Sequence, residues 1–121
     1  MQSVSQDTYE ADVVAASHER PVVVDFWGPR CGPCLKMMPW VEGLAERAAD
    51  SLKIVKVNSA ENRHLCIGLR VMSLPTFILY RDGVELKRLS GNGCNPSTIT
   101  AAIREVAPAV DLATDGAPVE A

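Results

Sequence analysis

The sequence predicts an α/β fold with a central mixed β-sheet flanked by helices on both faces. Two observations support this prediction. An apolar β-branched run, a helical pattern and a second strand pattern follow one another, which is typical of a parallel βαβ crossover. Further along, Asp82-Gly83 separates two strand-like runs, which is a strong signal for an antiparallel hairpin. A parallel crossover and an antiparallel hairpin together require a mixed sheet.

The individual elements follow from hydrophobic periodicity and from turn residues. Two helices are expected on each face of the sheet. In chain order the predicted elements are a helix from about residue 8 capped by Asp7, a strand at 21–27, a turn at 28–34 leading into a helix to about residue 49 with Pro39 inside it, a strand at 52–58, a short helix at 61–69, a hairpin of 76–80 and 84–89, and a last helix at 96–106.

Composition excludes several classes of protein. A length of 121 residues, with 47% hydrophobic and 22% charged residues, indicates one globular domain. No apolar run approaches the ~20 residues of a membrane span, and residues 1–10 lack the pattern of a secretory signal. The net charge of −3 provides no basic field for nucleic acid. We therefore expect a cytoplasmic protein that binds neither membrane nor nucleic acid.

The negative charge is concentrated at the C-terminal end. Residues 108–121 contain Asp111, Asp115 and Glu120 but no Lys or Arg, so residues 1–107 are neutral overall. The same segment lacks a core-forming pattern. We expect a domain at 1–107 and a disordered acidic tail at 108–121.

The motif Cys31-Gly32-Pro33-Cys34 is the strongest chemical signal. Two cysteines three residues apart on one helical turn can close a small, reversible disulfide ring. The start of a helix favours an anion, so it should stabilise a Cys31 thiolate, the nucleophile of thiol–disulfide exchange. Cys34, one turn deeper, can then resolve a mixed disulfide. Pro33 fits a first helical turn, and Gly32 permits close approach by a partner chain.

The spacing of the two cysteines alone leaves two other interpretations of this motif open. Half of a zinc site would need further ligands from His64, Cys66 or Cys94, and these form no second Cys-x-x-Cys pair. A purely structural bridge is uncommon in the cytosol. We therefore favour redox chemistry without a metal or an organic cofactor.

Other landmarks in the chain give it a close resemblance to the thioredoxin family. They are spread in the family's order from about Val4 to Val106. They comprise Asp25-Phe26-Trp27 before the cysteine motif, Pro39 in the following helix, Lys56 on the next strand, Leu74-Pro75-Thr76 and Gly91.

The resemblance implies a thioredoxin fold and a role for each landmark. Asp25 would be the buried carboxylate beneath the disulfide, with a pKa raised by burial, and Lys56 its charge partner. Without the resemblance, the residue pattern would also allow Asp25 to be an ordinary polar group at a strand end. Pro75 would be the cis-proline that closes a peptide-binding groove. The other substrate-binding positions would be Trp27, Arg30, Gly32, Pro33, Leu74 and Gly91.

Two residues depart from the family pattern. Arg30 stands where most members have Trp, and Leu35 stands where they have Lys. We expect Arg30 to stabilise the Cys31 thiolate and to alter partner choice, although an exposed Arg can also be inert. Cys66 is expected to be a buried apolar filler. The resemblance implies that the loop with Cys94 lies near the redox turn (residues 28–34), which makes Cys94 a candidate regulatory thiol.

The function implied by the resemblance is reduction of protein disulfides by dithiol–disulfide exchange. The implied partners are disulfide-containing client proteins and either a thioredoxin reductase or a dedicated electron donor, and we expect a monomer. A carrier that serves one enzyme is the main alternative, because Arg30 and Leu35 alter the motif's surroundings. A non-catalytic binding module is disfavoured by the intact Cys31, Cys34, Asp25 and Pro75.

Overall fold

A computed structural model of the chain describes residues 1–110 and residue 112. The strands are β1 (Gln2–Ser3), β2 (Val22–Trp27), β3 (Lys53–Asn58), β4 (Thr76–Arg81) and β5 (Val84–Ser90). The α-helices are α1 (Gly32–Arg47), α2 (Arg63–Leu69) and α3 (Pro96–Val106). Within the described residues, no helix is both long enough and apolar enough to span a bilayer.

The strands form one mixed sheet in the order β1-β3-β2-β4-β5. Strand β3 pairs in parallel with both β1 and β2, whereas β4 is antiparallel to β2 and to β5. The sequence-based prediction of a parallel crossover followed by a hairpin is therefore confirmed.

Strand β2 lies at the centre of the sheet, and its side chains face two separate apolar clusters. Val22, Val24 and Phe26 point to the face covered by α2 and by a helical segment near the N-terminus. Val23 points to the opposite face, where α1 and α3 pack. Burial on both faces explains the uninterrupted β-branched run in this strand, and the expected two helical segments per face are present.

The helical segment near the N-terminus differs from the predicted helix. It forms a π-helical stretch at Glu10–Ala15 followed by a 3-10 turn at Ala16–His18. The prediction that Asp7 caps it is wrong, because no side chain caps its first turn. Instead Asp7 belongs to a preceding turn, where its backbone N–H donates to Ser5 Oγ at 3.3 Å.

Strand β1 was not predicted from the sequence. It contains only Gln2 and Ser3, which pair with Val55 and Lys56 of β3. Both residues are exposed at the edge of the sheet. Two exposed polar residues carry no hydrophobic alternation, so only tertiary pairing reveals this strand.

The predicted Asp-Gly turn joins β4 to β5. Asp82 and Gly83 both have positive φ, 54° and 81°, as a two-residue hairpin turn requires. A Cβ atom at Gly83 would lie 2.7 Å from His18 Nε2. Both the backbone conformation and the neighbouring ring therefore favour glycine here.

Helix α3 begins with a capping box and leads into further core residues. Asn95 Oδ1 accepts from the Thr98 N–H at 2.9 Å, while Thr98 Oγ1 accepts from the Asn95 N–H at 3.0 Å. Beyond the helix, Val110 and Leu112 are buried in the cluster that α3 shares with α1. Of the expected tail, residues 111 and 113–121 lie outside the described residues.

Ile103 offers a direct test of the packing of α3 against the sheet. Its side chain is 0% exposed, whereas Ile67 on α2 is 71% exposed. Ile103→Ala should lower the free energy of unfolding by about 2–5 kcal/mol, because it removes buried methyl groups and leaves a cavity. The matched control Ile67→Ala should change it by less than about 0.5 kcal/mol. Urea unfolding measures both, and equal losses would contradict this packing.

Candidate active site

Strand β2 runs directly into the turn that carries the cysteine pair. The Cys31 N–H donates to the Gly28 carbonyl at 3.1 Å and closes this turn. Cys31 is the N-cap of α1, and Pro33 lies in the first helical turn. Cys31 and Cys34 are joined by a disulfide, with their Cα atoms 5.3 Å apart. The strand–turn–helix connection thus places both sulfurs at the N-terminus of a helix.

The two sulfurs have unequal environments. Cys34 is 2% exposed, whereas Cys31 is only half-buried. The Cys34 N–H donates to Cys31 Sγ at 3.2 Å, and the positive end of the helix dipole acts on the same atom. Gly32 and Pro33 are exposed beside it. Cys31 is therefore the sulfur that an outside molecule can reach and the one at which a thiolate is stabilised.

Asp25 is a buried carboxyl group on the same face of the sheet as the cysteine helix. It alternates with Val24 and Phe26, so it shares the α1 and α3 face with Val23. It is 2% exposed, and its Oδ1 atom has no hydrogen-bond partner among the described residues. Burial raises the pKa of Asp25 to about 7, although the Lys56 charge lowers it in part.

Lys56 is the neighbour of Asp25 across the sheet, in register on β3. Its ammonium group also lies 3.6 Å from Glu42 Oε2 on α1 and 5.8 Å from the centre of the Trp27 ring. The cation is thus shared among a surface carboxylate, an aromatic face and the buried acid. Lys56 is thus a neighbour of Asp25, and its charge lowers the pKa of that carboxyl, while its ion pair is with Glu42.

Trp27 ends β2 immediately before the redox turn. The ring is half-buried, and its Nε1 atom is buried without a hydrogen-bond partner among the described residues. An indole N–H in this position is expected to bind water or a partner group when one is present.

Three predicted positions meet on the other side of the turn. The Leu74–Pro75 peptide bond is cis. A Cβ atom at Gly28 would lie 3.1 Å from Leu74 Cδ1, so the missing side chain lets Leu74 pack against the redox turn. The Gly91 N–H donates to the Pro75 carbonyl at 2.8 Å, and Gly91 has a φ of 56°.

A groove of about 660 Å³ opens beside Cys31. Its walls come from the redox turn, from the segment after β3, from the start of α2 and from Leu74. Sequence reasoning placed Arg30 and Leu74 here but missed Arg63, because no local pattern shows that the start of α2 faces the redox turn. The lining residues are Gly28, Pro29, Arg30, Cys31, Ser59, Ala60, Arg63 and Leu74.

The two other cysteines are free and lie on opposite faces of the sheet. Cys66 is buried in the cluster with Val22 and Phe26, as expected for an apolar filler. Cys94 is half-buried, and its thiol donates to the Pro75 carbonyl with an Sγ–O distance of 3.6 Å. Burial, together with the nearby Asp25 charge, raises the pKa of Cys94 to about 11 despite a hydrogen bond from the Phe77 backbone. Cys94 therefore remains a thiol at neutral pH, which slows its oxidation.

The placement of these residues bears on the zinc alternative. Cys66 lies in the cluster on one face of the sheet, Cys94 packs against the cluster on the other, and His64 is exposed on α2. Within the described part of the chain, no three His, Cys, Asp or Glu side chains are grouped so that they could hold a metal ion.

Comparison with known proteins identifies the family. The thioredoxin family model matches residues 1–105. The chain belongs to the thioredoxin family. Thioredoxins are thiol–disulfide oxidoreductases, and the redox-active cysteine pair is present here as the Cys31–Cys34 disulfide.

Alignments with individual relatives cover most of this chain. It is 36% identical to thioredoxin 1 of Synechococcus elongatus over 89 residues, covering 74% of this chain and 81% of the relative. It is 38% identical to a thioredoxin of Streptomyces clavuligerus over 91 residues, covering 75% and 82%. Among solved structures, Chlamydomonas reinhardtii thioredoxin f2 is similar with a TM-score of 0.80 at 28% identity, covering 89% and 97%.

The raised pKa of Asp25 predicts a specific pH dependence of stability. Well below pH 3.8 the carboxyl is protonated in both the folded and the unfolded state, so burial carries no ionic penalty. As the pH rises from 3.8 to about 7, the unfolded chain loses this proton while the folded chain keeps it. The contribution of Asp25 to the free energy of unfolding therefore falls over that window and levels off above it.

The Asp25→Asn substitution removes this dependence. The free energy of unfolding of the variant, relative to that of the native protein, should rise between pH 4 and pH 8 by an amount on the order of 4 kcal/mol. Denaturant unfolding of the oxidised protein at several pH values measures the difference. Asp50→Asn, at an exposed position, serves as the matched control. A difference between the native protein and the Asp25→Asn variant that stays constant with pH would contradict a buried, protonated Asp25.

Proposed function

We propose that this thioredoxin reduces disulfide bonds in client proteins, with Cys31 as the attacking thiol and Cys34 as the resolving thiol. The observation that supports this assignment most directly is the unequal exposure of the two sulfurs at the start of α1. Cys31 is reachable and receives a hydrogen bond from the Cys34 N–H, while Cys34 is buried behind it.

The proposed reaction is two successive thiol–disulfide exchanges. The Cys31 thiolate attacks one client sulfur, the client S–S bond breaks, and the second client sulfur leaves as a thiolate. Cys34 then attacks Cys31 Sγ, forms the Cys31–Cys34 disulfide and releases the first client sulfur. The client gains two electrons and, after protonation, two protons. This chain loses the same two electrons and two protons.

Asp25 is assigned to the second exchange. A carboxyl group with a pKa of about 7 can accept and return a proton near neutral pH. It lies on the α1 face of the sheet, and Cys34 is the buried cysteine of that helix. Asp25 would take the Cys34 proton as that thiol becomes the nucleophile. Lys56 would tune Asp25 through its positive charge.

The client chain is assigned to the groove beside Cys31. Leu74 precedes β4 and lies outside the sheet ladder, so its backbone can pair with an extended segment. Pro75, held by the Gly91 N–H, would fix the position of Leu74. Trp27 would shield the disulfide from below, while the exposed Gly32 and Pro33 would allow close approach of the client.

Electrons would come from a thioredoxin reductase or from a dedicated donor, and the protein would act as a monomer in the cytoplasm. A dedicated carrier is the second candidate function. Two observations favour it: Arg30 lines the groove, and the Leu35 side chain is 46% exposed beside the redox turn. Both replace residues typical of general thioredoxins, so both change the surface that a reductase meets.

Insulin reduction tests the general activity. With dithiothreitol as electron source, the native protein should accelerate insulin precipitation, and Cys31→Ser should abolish the acceleration because the attacking sulfur is gone. Cys34→Ser should accumulate mixed disulfides with client proteins, since the resolving sulfur is missing. Turbidity and non-reducing gel electrophoresis measure these outcomes. No acceleration by the native protein would contradict the proposed reductase activity, and a single trapped client would favour the dedicated carrier.

Arg30 should also affect the reactivity of Cys31. An exposed cation beside a thiolate is worth ~0.2–1 kcal/mol, so Arg30→Trp should slow alkylation of reduced Cys31 by iodoacetamide about 1.4- to fivefold at neutral pH. Mass spectrometry can follow Cys31 separately from Cys66 and Cys94. Arg104→Gln, an exposed change on α3, is the control. An unchanged rate in Arg30→Trp would show that Arg30 does not stabilise the thiolate.

A further inference from the structure

The groove beside Cys31 combines an apolar surface with two positive charges. Pro29, Ala60 and Leu74 supply apolar walls, and Arg30 and Arg63 complete the lining. The two arginines come from different elements, the redox turn and the first residue of α2. The fold therefore brings together two cations that are 33 positions apart in the sequence.

Neither arginine is neutralised within the described part of the chain. Ion pairs found there hold other cations, among them Lys56, Arg81, Lys87 and Arg88. Arg30 and Arg63 are both exposed and have no carboxylate oxygen within ion-pair distance among the described residues. Glu61, the described acidic residue nearest to Arg63 in the sequence, does not line the groove.

Unpaired cations in a groove affect which client segments bind well. A neutral or basic segment that covers the groove removes water from both guanidinium groups. It supplies no carboxylate to replace the hydrogen bonds that the water made. A segment with a carboxylate side chain restores a charge-assisted hydrogen bond, and guanidinium groups match carboxylate geometry. Because the groove also includes Cys31, this preference acts on the residues next to the reacting client cysteine.

We infer that Arg30 and Arg63 select protein clients in which an acidic side chain lies beside the cysteine that Cys31 attacks. The inference rests on the proposed reductase function and adds the charge of the client segment to it. The exchange reaction itself is unchanged: Cys31 and Cys34 transfer two electrons to the client disulfide, and the carboxylate only positions the segment.

Matched disulfide peptides test this selectivity. The peptides differ only in one residue beside the cysteine, which is Glu, Gln or Lys. The reduced native protein should react with the Glu peptide faster than with the Gln peptide by about two- to fivefold per arginine at low salt, and the Lys peptide should be slowest. High salt should diminish the preference. Stopped-flow measurement of the second-order rate constants gives the ratios directly.

Arginine variants connect the preference to these residues. Arg30→Gln and Arg63→Gln should each reduce the Glu-to-Gln rate ratio, and the double variant should bring it near one. Arg104→Gln should keep the native ratio. Using the ratio cancels any general effect of Arg30 on Cys31 reactivity, because both peptides react with the same thiolate.

Four results would overturn the inference in distinguishable ways. A native ratio near one, or a native ratio retained in the double variant, would show that the arginines do not read client charge. If the double arginine variant slowed the reduction of oxidised glutathione as much as that of the Glu peptide, the two arginines would be assigned to binding small anionic disulfides rather than protein segments. If no peptide is reduced at all, the proposed reductase function fails, and the client preference fails with it.

Discussion

Burial of β2 on both faces is the constraint on which the rest of the structure depends. Its apolar side chains join the two clusters that hold the helices to the sheet. The same strand carries Asp25 into the core and ends at the redox turn. Apolar packing thereby holds the Asp25 carboxyl away from the water in which it would ionise. The same packing holds the start of α1 against the sheet.

This arrangement separates the chemistry into an accessible part and a buried part. Cys31 is half-buried, lies at the helix start and borders the groove, so it is the cysteine that the proposed client would meet. Cys34 and Asp25 are buried, so their proposed exchange and proton-transfer steps would take place out of contact with solvent. Arg30 and Arg63 add positive charge only on the accessible side. In the proposed mechanism different side chains would set client choice and proton transfer, so the two could vary independently.

Local sequence patterns predicted the parts of the fold that repeat a simple period or a strong turn signal. The buried run of β2, the Asp82-Gly83 turn and the cysteine motif at the start of α1 are examples. Strand β1 escaped prediction because its two exposed residues show no periodicity. Arg63 escaped because its position in the groove depends on how α2 packs, which no residue near it encodes. The family resemblance supplied the expectation of a cis Leu74–Pro75 bond, which a lone proline does not indicate.

Burial on β2 raises the pKa of Asp25 to about 7, so the carboxyl stays protonated up to nearly neutral pH on the face of the sheet where α1 packs. The most direct measurement is a pH titration of the Asp25 carboxyl carbon by ¹³C NMR in the oxidised protein. The structure predicts a midpoint at a pH of about 7. A midpoint near the ordinary carboxyl value of 3.8 would instead show that burial does not keep the carboxyl protonated, because it is solvated or fully compensated by charge.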